Sequence, residues 1–281
     1  MIDIKRLREN PELIKQKWAA RGYDADVDAI VAKDAEWRTK THKVEELKSE
    51  RTKASKQIGA LKKAGEDAAP AMEAVRAIGE QIKALDTEVA ELHASVQYSM
   101  LSAPNTPSDT TPIGADESGN IEIRSWGTKE EFDFTPKPHW DIAEDLDIID
   151  MKRGAKLSGS GFILAKGAGA QLERALINYF LDHHAEHDYE EYFTPFLVSR
   201  ETMTGTGQLP KFEDDLYRTE DDQFLIPTAE VPLTNIYANE IFEKEDLPKY
   251  LTAYTPCFRR EAGAAGKDTR GIVRVHQFNK V

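Results

Sequence analysis

The chain has 281 residues with a formal net charge of -13, and 40% of the residues are hydrophobic and 31% charged. This length and composition exclude a disordered chain and predict a protein of two parts, since single domains usually have roughly 100 to 200 residues. No run approaches the roughly 18 apolar residues of a membrane helix, MIDIKRLREN lacks a signal-peptide core and Cys257 is the only cysteine, so we expect a cytoplasmic protein without a membrane span or an internal disulfide.

The first predicted element is a pair of long helices. Residues 28 to about 64 contain no proline, and apolar side chains recur there every seven residues, as at Ile30 and Trp37. A turn is predicted at 65–67, and a second heptad seam follows from Val75 to Val96. Two heptad helices joined by a short turn predict a thin antiparallel arm.

The first of these helices is strongly basic. From Arg38 to Lys63 it holds nine Lys and Arg against three Glu, a local charge of +6. The acidic excess lies elsewhere, since residues 1–110 hold 18 Lys and Arg against 19 Asp and Glu and the rest of the chain holds 19 against 31. A polyanion could therefore bind this helix despite the acidic net charge. The alternative is an ordinary solvated helix face. The nine basic residues from Arg38 to Lys63 are Arg38, Lys40, Lys43, Lys48, Arg51, Lys53, Lys56, Lys62 and Lys63.

The C-terminal part mixes predicted strands and helices without a regular alternation. A stretch rich in Pro, Ser, Thr, Asp and Gly predicts a linker at 104–120, between an arm at 1–103 and a second domain at 121–281. This order of elements predicts an α+β fold with an antiparallel sheet. The elements are a strand IEIRSWG at 121–127, a helix at 168–187, a strand at 190–198, a helix at 235–242 and two final strands at 250–261 and 271–281.

The last two predicted strands carry side chains of complementary chemistry. Successive side chains of a strand point to opposite faces, so Arg259 and Glu261 share a face, and so do Arg274 and Phe278. If the strands pair through the loop 262–269, these four groups meet on one surface. Arginine forks bind phosphate oxygens and an aromatic ring stacks on a base, so this pattern suits a nucleoside triphosphate. The alternative is a solvated hairpin with mixed charges.

The same final stretch resembles a motif of a known family. FRREAGAAGKDTRGIVRVHQFNKV closely resembles the second signature motif of class II aminoacyl-tRNA synthetases, in the form found in seryl-tRNA synthetases. The heptad hairpin resembles the tRNA-binding arm of that family. Four further stretches resemble the family in the same order, namely KPHWDIAEDLDIID, LSGSGFILAKGAGAQLERALINYF, GTGQLPKFEDDLY and PTAEVPLTN.

The resemblance implies roles for individual residues of the final hairpin. Arg259 is similar to the catalytic arginine that holds the α-phosphate of ATP and the serine carboxylate, and Arg274 is similar to a second catalytic anion contact. Glu261 would bind the adenine amine, and Phe278 would stack on the adenine ring. The implied ATP contacts are Arg259, Arg260, Glu261, Val275 through its backbone, and Phe278.

The resemblance also implies a serine site. Thr228, Ala229 and Glu230 resemble the TAE signature that binds serine in this family, with Arg259 as a further contact. A hydroxyl and a carboxylate suit a ligand with an ammonium and a small hydroxyl, and such a pocket can reject analogues that lack the hydroxyl. The alternative from pattern alone is a helix cap.

Two macromolecular partners are implied as well. The helix before EEYFTP, with Pro195, resembles the first class II motif, which builds the homodimer interface in the family. Its alternative is simply a helix packed on a strand. The nine basic residues of the arm would contact the long variable arm of tRNA(Ser), and the resemblance allows tRNA(Sec) as a second acceptor.

Two departures from the family are visible. Gly161 stands where the family usually has an arginine. Beyond Val281 the family has a glutamate that helps bind serine, a third motif whose arginine binds ATP, and acidic residues for Mg²⁺. The sequence therefore resembles a seryl-tRNA synthetase truncated before the third motif. We expect ATP- and Mg²⁺-dependent ligation of L-serine to tRNA(Ser), with no metal ligand in this chain and an active site that it does not complete alone.

Two other functions stay open at the level of sequence. A synthetase-like ligase could load amino acids onto a carrier protein, although the long arm argues against this function. A non-catalytic RNA-binding or dimerising module is the second alternative. Serine activation separates this module from both ligases, and the identity of the acceptor separates the ligases from each other.

Overall fold

The structure is a computed structural model, and it describes residues 2–262 and 271–281. The chain divides into two compact units, Met1–Ser125 and Trp126–Val281. Each unit has a core of its own, and each is described separately below. No helix in the described ranges is both long and apolar enough to span a membrane.

The described part of the first unit contains four α-helices, and the two long ones form the predicted arm. Its helices are α1 (Ile4–Glu9), α2 (Pro11–Ala20), α3 (Val27–Ala64) and α4 (Ala69–Ser102). Asp26 caps α3 by accepting a hydrogen bond from the Ala29 backbone, and Gly65 ends it with a left-handed φ of 75°. Lys33 reaches Ser95 and Lys40 reaches Glu88, so the helices run antiparallel. The predicted two-helix arm is confirmed.

The seam of the arm and its base are packed differently. Along the arm, Val44, Leu47 and Ile82 form a small buried cluster, as the heptads predict. At the base, a larger cluster surrounds Trp18, whose indole N–H donates to the Pro104 carbonyl at 2.9 Å. This base depends on α1 and α2, for which the sequence analysis made no prediction.

The second unit is an α+β arrangement of five helices and three two-stranded sheets among its described residues, and the predicted fold class is confirmed. Strands β1 and β4 pair in parallel, whereas β2 with β3 and β5 with β6 pair antiparallel. Its largest buried cluster includes Phe224, Ile226 and Met203. The helices are α5 (His139–Asp145), α6 (Met151–Ser158), α7 (Ala168–Ala185), α8 (Arg200–Gly205) and α9 (Glu230–Asn235), and the strands are β1 (Glu190–Glu191), β2 (Leu197–Ser199), β3 (Gln223–Leu225), β4 (Leu251–Thr252), β5 (Thr255–Phe258) and β6 (Gln277–Lys280).

Three predicted strands are shorter than expected: 190–198 is divided into β1 and β2, 250–261 is divided into β4 and β5, and only Gln277–Lys280 of 271–281 forms a strand. Two other predicted elements are wrong. The segment 121–127 forms no strand, and Ile121 and Ile123 are exposed, because alternation produces a strand only where a partner supplies hydrogen bonds. The helix predicted at 235–242 lies earlier, at Glu230–Asn235, and Asn239 has a left-handed φ of 65° that a helix cannot continue through.

Candidate active site

A cavity of about 870 Å³ lies in the second unit beside the β5–β6 hairpin. This volume is in the range of small-molecule sites, roughly 300 to 1,000 Å³. Both arms of the hairpin contribute to its wall, as does the segment before α9. The described lining residues are Gln208, Phe212, Asp215, Leu216, Pro227, Thr228, Arg259, Glu261, Ile272, Val273, Arg274, Val275, Phe278 and Lys280.

The hairpin register places Arg259 beside Phe278. Cys257 pairs with Phe278 in the β5–β6 ladder, and the Arg259 N–H donates to the His276 carbonyl at 2.9 Å. The Arg259 guanidinium carbon lies 4.9 Å from the Phe278 ring centroid, and its Nε donates to the Pro227 carbonyl at 3.1 Å. A cation and an aromatic face are thus held in contact inside the cavity.

Glu261 and Arg274 pair at the end of the hairpin that leads into the connecting loop. Arg274 Nη1 lies 2.7 Å from Glu261 Oε2, with side chains that are 47% and 18% exposed. Glu261 has a left-handed φ of 50°, a conformation that costs a non-glycine residue energy and is concentrated at functional sites. The sequence prediction that these two groups share a surface agrees with this geometry. The connecting loop 262–269 lies, apart from Ala262, outside the described residues.

Thr228 and Glu230 form a charged cluster with Lys280. Lys280 Nζ donates to Glu230 Oε1 at 2.7 Å and to Thr228 Oγ1 at 2.6 Å, and the Thr228 hydroxyl donates to Glu230. Burial by itself would raise the pKa of Glu230, but the hydrogen bonds from Lys280 and Thr228 hold that pKa below its usual value. The N-cap of α9 is Ala229 without a side-chain cap, so Thr228 does not act as the helix cap of the alternative interpretation.

An acidic turn supports the outgoing arm of the hairpin. Asp215 accepts hydrogen bonds from the Arg260 N–H at 2.9 Å, through its carbonyl, and from the Ala262 N–H at 3.1 Å, through its carboxylate. Arg200 holds the same turn by pairing with Glu213 at 2.6 Å and with Asp222 at 2.9 Å. The hydrogen bonds from Arg200 keep the pKa of both carboxyls below their ordinary values. Arg200 therefore stabilises the wall that carries Asp215.

The structure gathers most of the predicted site residues, but not all of them. Arg260, Ala229 and Glu230 are absent from the described lining, although Glu230 bonds Thr228 and Lys280, which do line the cavity. The side chain of Val275 is buried, which leaves its backbone for contact. Lys280 as a partner of Glu230 and Asp215 as an anchor were not predicted from the sequence. Strand alternation places Lys280 on the same face as Phe278, so a signal for Lys280 was present.

Gly161 is explained by packing against the hairpin. Its carbonyl accepts a hydrogen bond from the His276 N–H at 2.9 Å, and its φ is 82°. A Cβ at this position would lie 2.5 Å from the His276 ring. A side chain at this position would be strained at this φ and would have to displace the His276 ring. Glycine therefore allows the two segments to approach closely.

The basic residues of the arm fall into two groups. Arg38, Lys40, Lys43 and Lys48 each bond a carboxylate of the arm. The hydrogen bonds that Lys40 donates to Glu36 and Glu88 raise the pKa of Lys40 to about 12. The remaining five residues, near the turn, are exposed and have no ion pair among residues 2–262 and 271–281, namely Arg51, Lys53, Lys56, Lys62 and Lys63.

Within the described residues, no group of three or more His, Cys, Asp or Glu side chains could hold a metal ion. Cys257, the single cysteine, is buried in β5, and burial raises the pKa of its thiol. Arginine, lysine, carboxylate and hydroxyl groups line the cavity.

Two family models match the chain. The seryl-tRNA synthetase N-terminal domain matches residues 1–107, and the tRNA synthetase class II core domain (G, H, P, S and T) matches residues 211–281. The serine–tRNA ligase of Syntrophomonas wolfei is 51% identical over the whole chain, which covers 66% of that protein. The serine–tRNA ligase of Geotalea uraniireducens is 50% identical, and the chain covers 67% of it. The chain belongs to the seryl-tRNA synthetase family.

Solved seryl-tRNA synthetase structures agree with this assignment. The crystal structure of the Pyrococcus horikoshii seryl-tRNA synthetase, complexed with ATP, matches with a TM-score of 0.83 and 39% identity. The whole chain is covered, together with 68% of that structure. The cytoplasmic serine–tRNA ligase of Naegleria fowleri, in complex with AMP, matches with a TM-score of 0.77 and 27% identity. The chain spans about two thirds of the length of these seryl-tRNA synthetases.

Proposed function

We propose that the full-length protein activates L-serine with ATP and transfers the seryl group to tRNA(Ser), with tRNA(Sec) as a second acceptor, in the cytoplasm. One observation carries the catalytic part of this proposal. A single cavity brings Arg259, Phe278, the Glu261–Arg274 pair and Thr228 together. These groups match the phosphate, the base and the amino acid that such a reaction must hold side by side.

The first step joins two anions, so the protein must offset their repulsion. An oxygen of the serine carboxylate forms a bond to the α-phosphorus, the bond from that phosphorus to the β-phosphate bridging oxygen breaks, and pyrophosphate leaves with the electron pair. Arg259 and Arg274 would stabilise the charge that develops on the phosphoryl oxygens, and the cavity would hold the reacting atoms in line. In the second step a ribose hydroxyl of the terminal tRNA adenosine attacks the seryl carbonyl, and AMP leaves.

The site residues divide between the two substrates in this proposal. Glu261, Phe278, Arg260 and the backbone of Val275 would bind ATP. Thr228, Ala229, Glu230 and Arg259 would bind serine. Glu230 is ionised in this cluster and already accepts hydrogen bonds from the Lys280 ammonium, so the cluster has the chemistry needed for a substrate ammonium. Mg²⁺ is proposed as the companion of ATP, and the described residues offer no cluster that we assign to it.

The test of this function is serine-dependent exchange of pyrophosphate into ATP by the full-length protein, followed by aminoacylation. Exchange with serine, and transfer to tRNA(Ser) but not to a carrier protein, is the expected result. Transfer to a carrier protein would instead favour the carrier-protein ligase. Absence of exchange with any amino acid would favour a non-catalytic module.

The arm at 1–103 is the part that we propose to bind tRNA, separated by the linker 104–120 from the catalytic part at 121–281. Five exposed cations without ion partners in the described structure lie near the turn between α3 and α4. Cations that are already paired gain less from a phosphate, because binding must first break the existing bond. We therefore assign the main phosphate contacts to the turn end of the arm.

Lys56→Gln should weaken tRNA(Ser) binding more than Lys43→Gln does. Loss of one phosphate contact reduces affinity about five- to tenfold at 0.1 M salt and lowers the slope of log K against log salt by about 1. Lys43 pairs with Glu46 at 3.2 Å, so its removal should cost less. Titrations of the full-length protein with tRNA(Ser) at several salt concentrations measure both quantities. Equal effects of the two substitutions would contradict the assignment to the turn end.

A homodimer is the second proposed assembly, formed through α7. Leu172, Leu176 and Tyr179 lie on one face of this helix and are exposed, and no residue of α7 is buried within the unit. An apolar helix stripe of this kind is typical of an interaction surface. A second copy is the occupant that we propose, because the segment resembles the first class II motif.

Leu176→Asp should convert the full-length protein from a dimer to a monomer at micromolar concentration. The buried carboxylate would lack a partner in a symmetric interface, where the substitution occurs twice. Sedimentation velocity measures the outcome, and Ile241→Asp, in an exposed segment outside α7, is the matched control. A monomeric unsubstituted protein, or a dimeric Leu176→Asp variant, would exclude this interface.

A further inference from the structure

The returning arm of the hairpin approaches the cavity without regular secondary structure. Residues 271–276 are the six residues that precede β6, and Ile272, Val273 and Arg274 among them line the cavity. At the far end of this arm, the His276 N–H bonds the Gly161 carbonyl. The near end, at Gly271 and next to the connecting loop, requires a separate anchor, because six residues of irregular chain would otherwise adopt many conformations.

The near end is held by a histidine from a distant helix. The Ile272 N–H donates to Nε2 of His139 at 2.9 Å, although the two residues are 133 positions apart in the sequence. Nε2 accepts this bond only if it carries a lone pair, so the proton of the neutral imidazole must be on Nδ1. His139 is the first residue of α5, and its ring meets the Trp140 ring edge-on with 4.9 Å between centroids.

Gly271 permits this contact. It has a φ of 86°, and a Cβ built on it would lie 2.2 Å from His139 Nε2 and 2.7 Å from a carbon of the Trp140 ring. The backbone of the returning arm is therefore in direct contact with both rings. A glycine is required by the conformation and by the space, and the close approach brings the next N–H within reach of His139.

We propose that His139 is a positioning residue for the ATP half of the site, an inference that rests on the proposed function. His139 is absent from the described lining of the cavity, so it would act through Ile272. By fixing Ile272, it sets the direction of the chain two residues before Arg274, whose guanidinium must face Glu261. Thr228 and Glu230 lie on a different segment, and among the described residues they bond the returning strand only at Lys280, which is eight residues beyond Ile272.

A pair of substitutions in the full-length protein separates the hydrogen bond from simple packing. His139→Leu removes the acceptor and keeps an apolar side chain of similar size, whereas His139→Gln places an amide oxygen where Nε2 stood. With His139→Leu we expect the KM for ATP in serine-dependent exchange to rise roughly three- to tenfold, the size expected for one neutral hydrogen bond, with little change in the KM for serine. With His139→Gln, the KM for ATP should stay close to that of the unsubstituted protein.

Hydrogen–deuterium exchange gives a readout that does not depend on activity. The backbone amide of Ile272 should exchange faster in the His139→Leu variant and stay protected in the His139→Gln variant. Peptides from the two-helix arm at 1–103 should be unchanged in both variants. Gly271→Ala should reproduce the kinetic effect of His139→Leu, because the added methyl would displace the arm from both rings.

The outcomes distinguish this inference from the proposed function. Equal behaviour of the Leu and Gln variants, or parallel increases in the KM for ATP and for serine, would show that His139 contributes packing only. Unchanged exchange of the Ile272 amide in the Leu variant would also overturn the inference. If the unsubstituted protein activates no amino acid, the proposed function fails, and the amide measurement still decides whether His139 anchors the arm.

Discussion

Arg259→Ala in the full-length protein should lower serine-dependent pyrophosphate exchange on the order of a thousandfold, since loss of a single preorganised donor at a reacting centre costs about 10² to 10³ in rate. Arg259 is the best-positioned cation in the cavity. Its Nε is fixed by the Pro227 carbonyl, and its guanidinium carbon is 4.9 Å from the Phe278 ring centroid. Removal of the side chain would leave the carboxylate and the α-phosphate without the fork that brings them together.

Two further variants make this test sharper. Arg259→Lys keeps the positive charge but loses the planar fork, so its exchange rate should fall between those of the unsubstituted protein and the alanine variant. Arg76→Ala removes an exposed arginine from α4 of the arm, and exchange does not involve tRNA, so this control should be unaffected. Near-normal exchange by the Arg259→Ala variant would remove Arg259 from the proposed catalytic role.

Glu230→Gln should raise the KM for serine about tenfold or more and leave the KM for ATP nearly unchanged. Hydrogen bonds to charged groups contribute about 1.5 to 3 kcal/mol, which corresponds to roughly 10- to 150-fold in binding. The Glu230 side chain is 59% exposed, so solvent screening places the effect toward the lower end. Glutamine has the same shape without the charge, and the result therefore reports the carboxylate itself.

Steady-state exchange kinetics with each substrate varied in turn measure this split. Glu240→Gln, an exposed carboxylate outside the cavity, is the matched control. Thr228→Val should add a loss of discrimination between serine and alanine, because the hydroxyl that could bond the serine side chain would be gone. Equal increases in the KM for ATP and for serine in the Glu230→Gln variant would mean that the TAE segment is structural.

The parts that were predictable from sequence depend on short-range periodicity. The heptads place Val44 and Ile82 in the arm seam, and the structure buries both residues there. For the final hairpin, strand alternation predicted that Arg259, Glu261, Arg274 and Phe278 share one surface, and all four line one cavity. Among the described residues only Thr255–Phe258 and Gln277–Lys280 form the ladder, however, and Glu261 has a left-handed φ, so alternation does not explain the contact of Glu261 with Arg274. In the arm the pattern repeats within a few residues, so local geometry determines the face.

The same logic fails where a partner decides the outcome. The segment 121–127 alternates like a strand, yet Ile123 is exposed and unpaired, because a strand is stable only against another strand or a packed face. The helix predicted at 235–242 lies instead at Glu230–Asn235, for a related reason. Asn235 donates hydrogen bonds to the carbonyls of Thr202 and Val231, so packing against α8 fixes where α9 ends.

By itself, the sequence determined the arm and the α+β class, because these features follow from spacings of two to seven residues. Tertiary structure alone decided that Lys280 meets Glu230 and that His139 holds Ile272, contacts that span 50 and 133 positions. Such contacts require the chain to close long loops and pack one particular way. No repeating pattern along the chain encodes that choice.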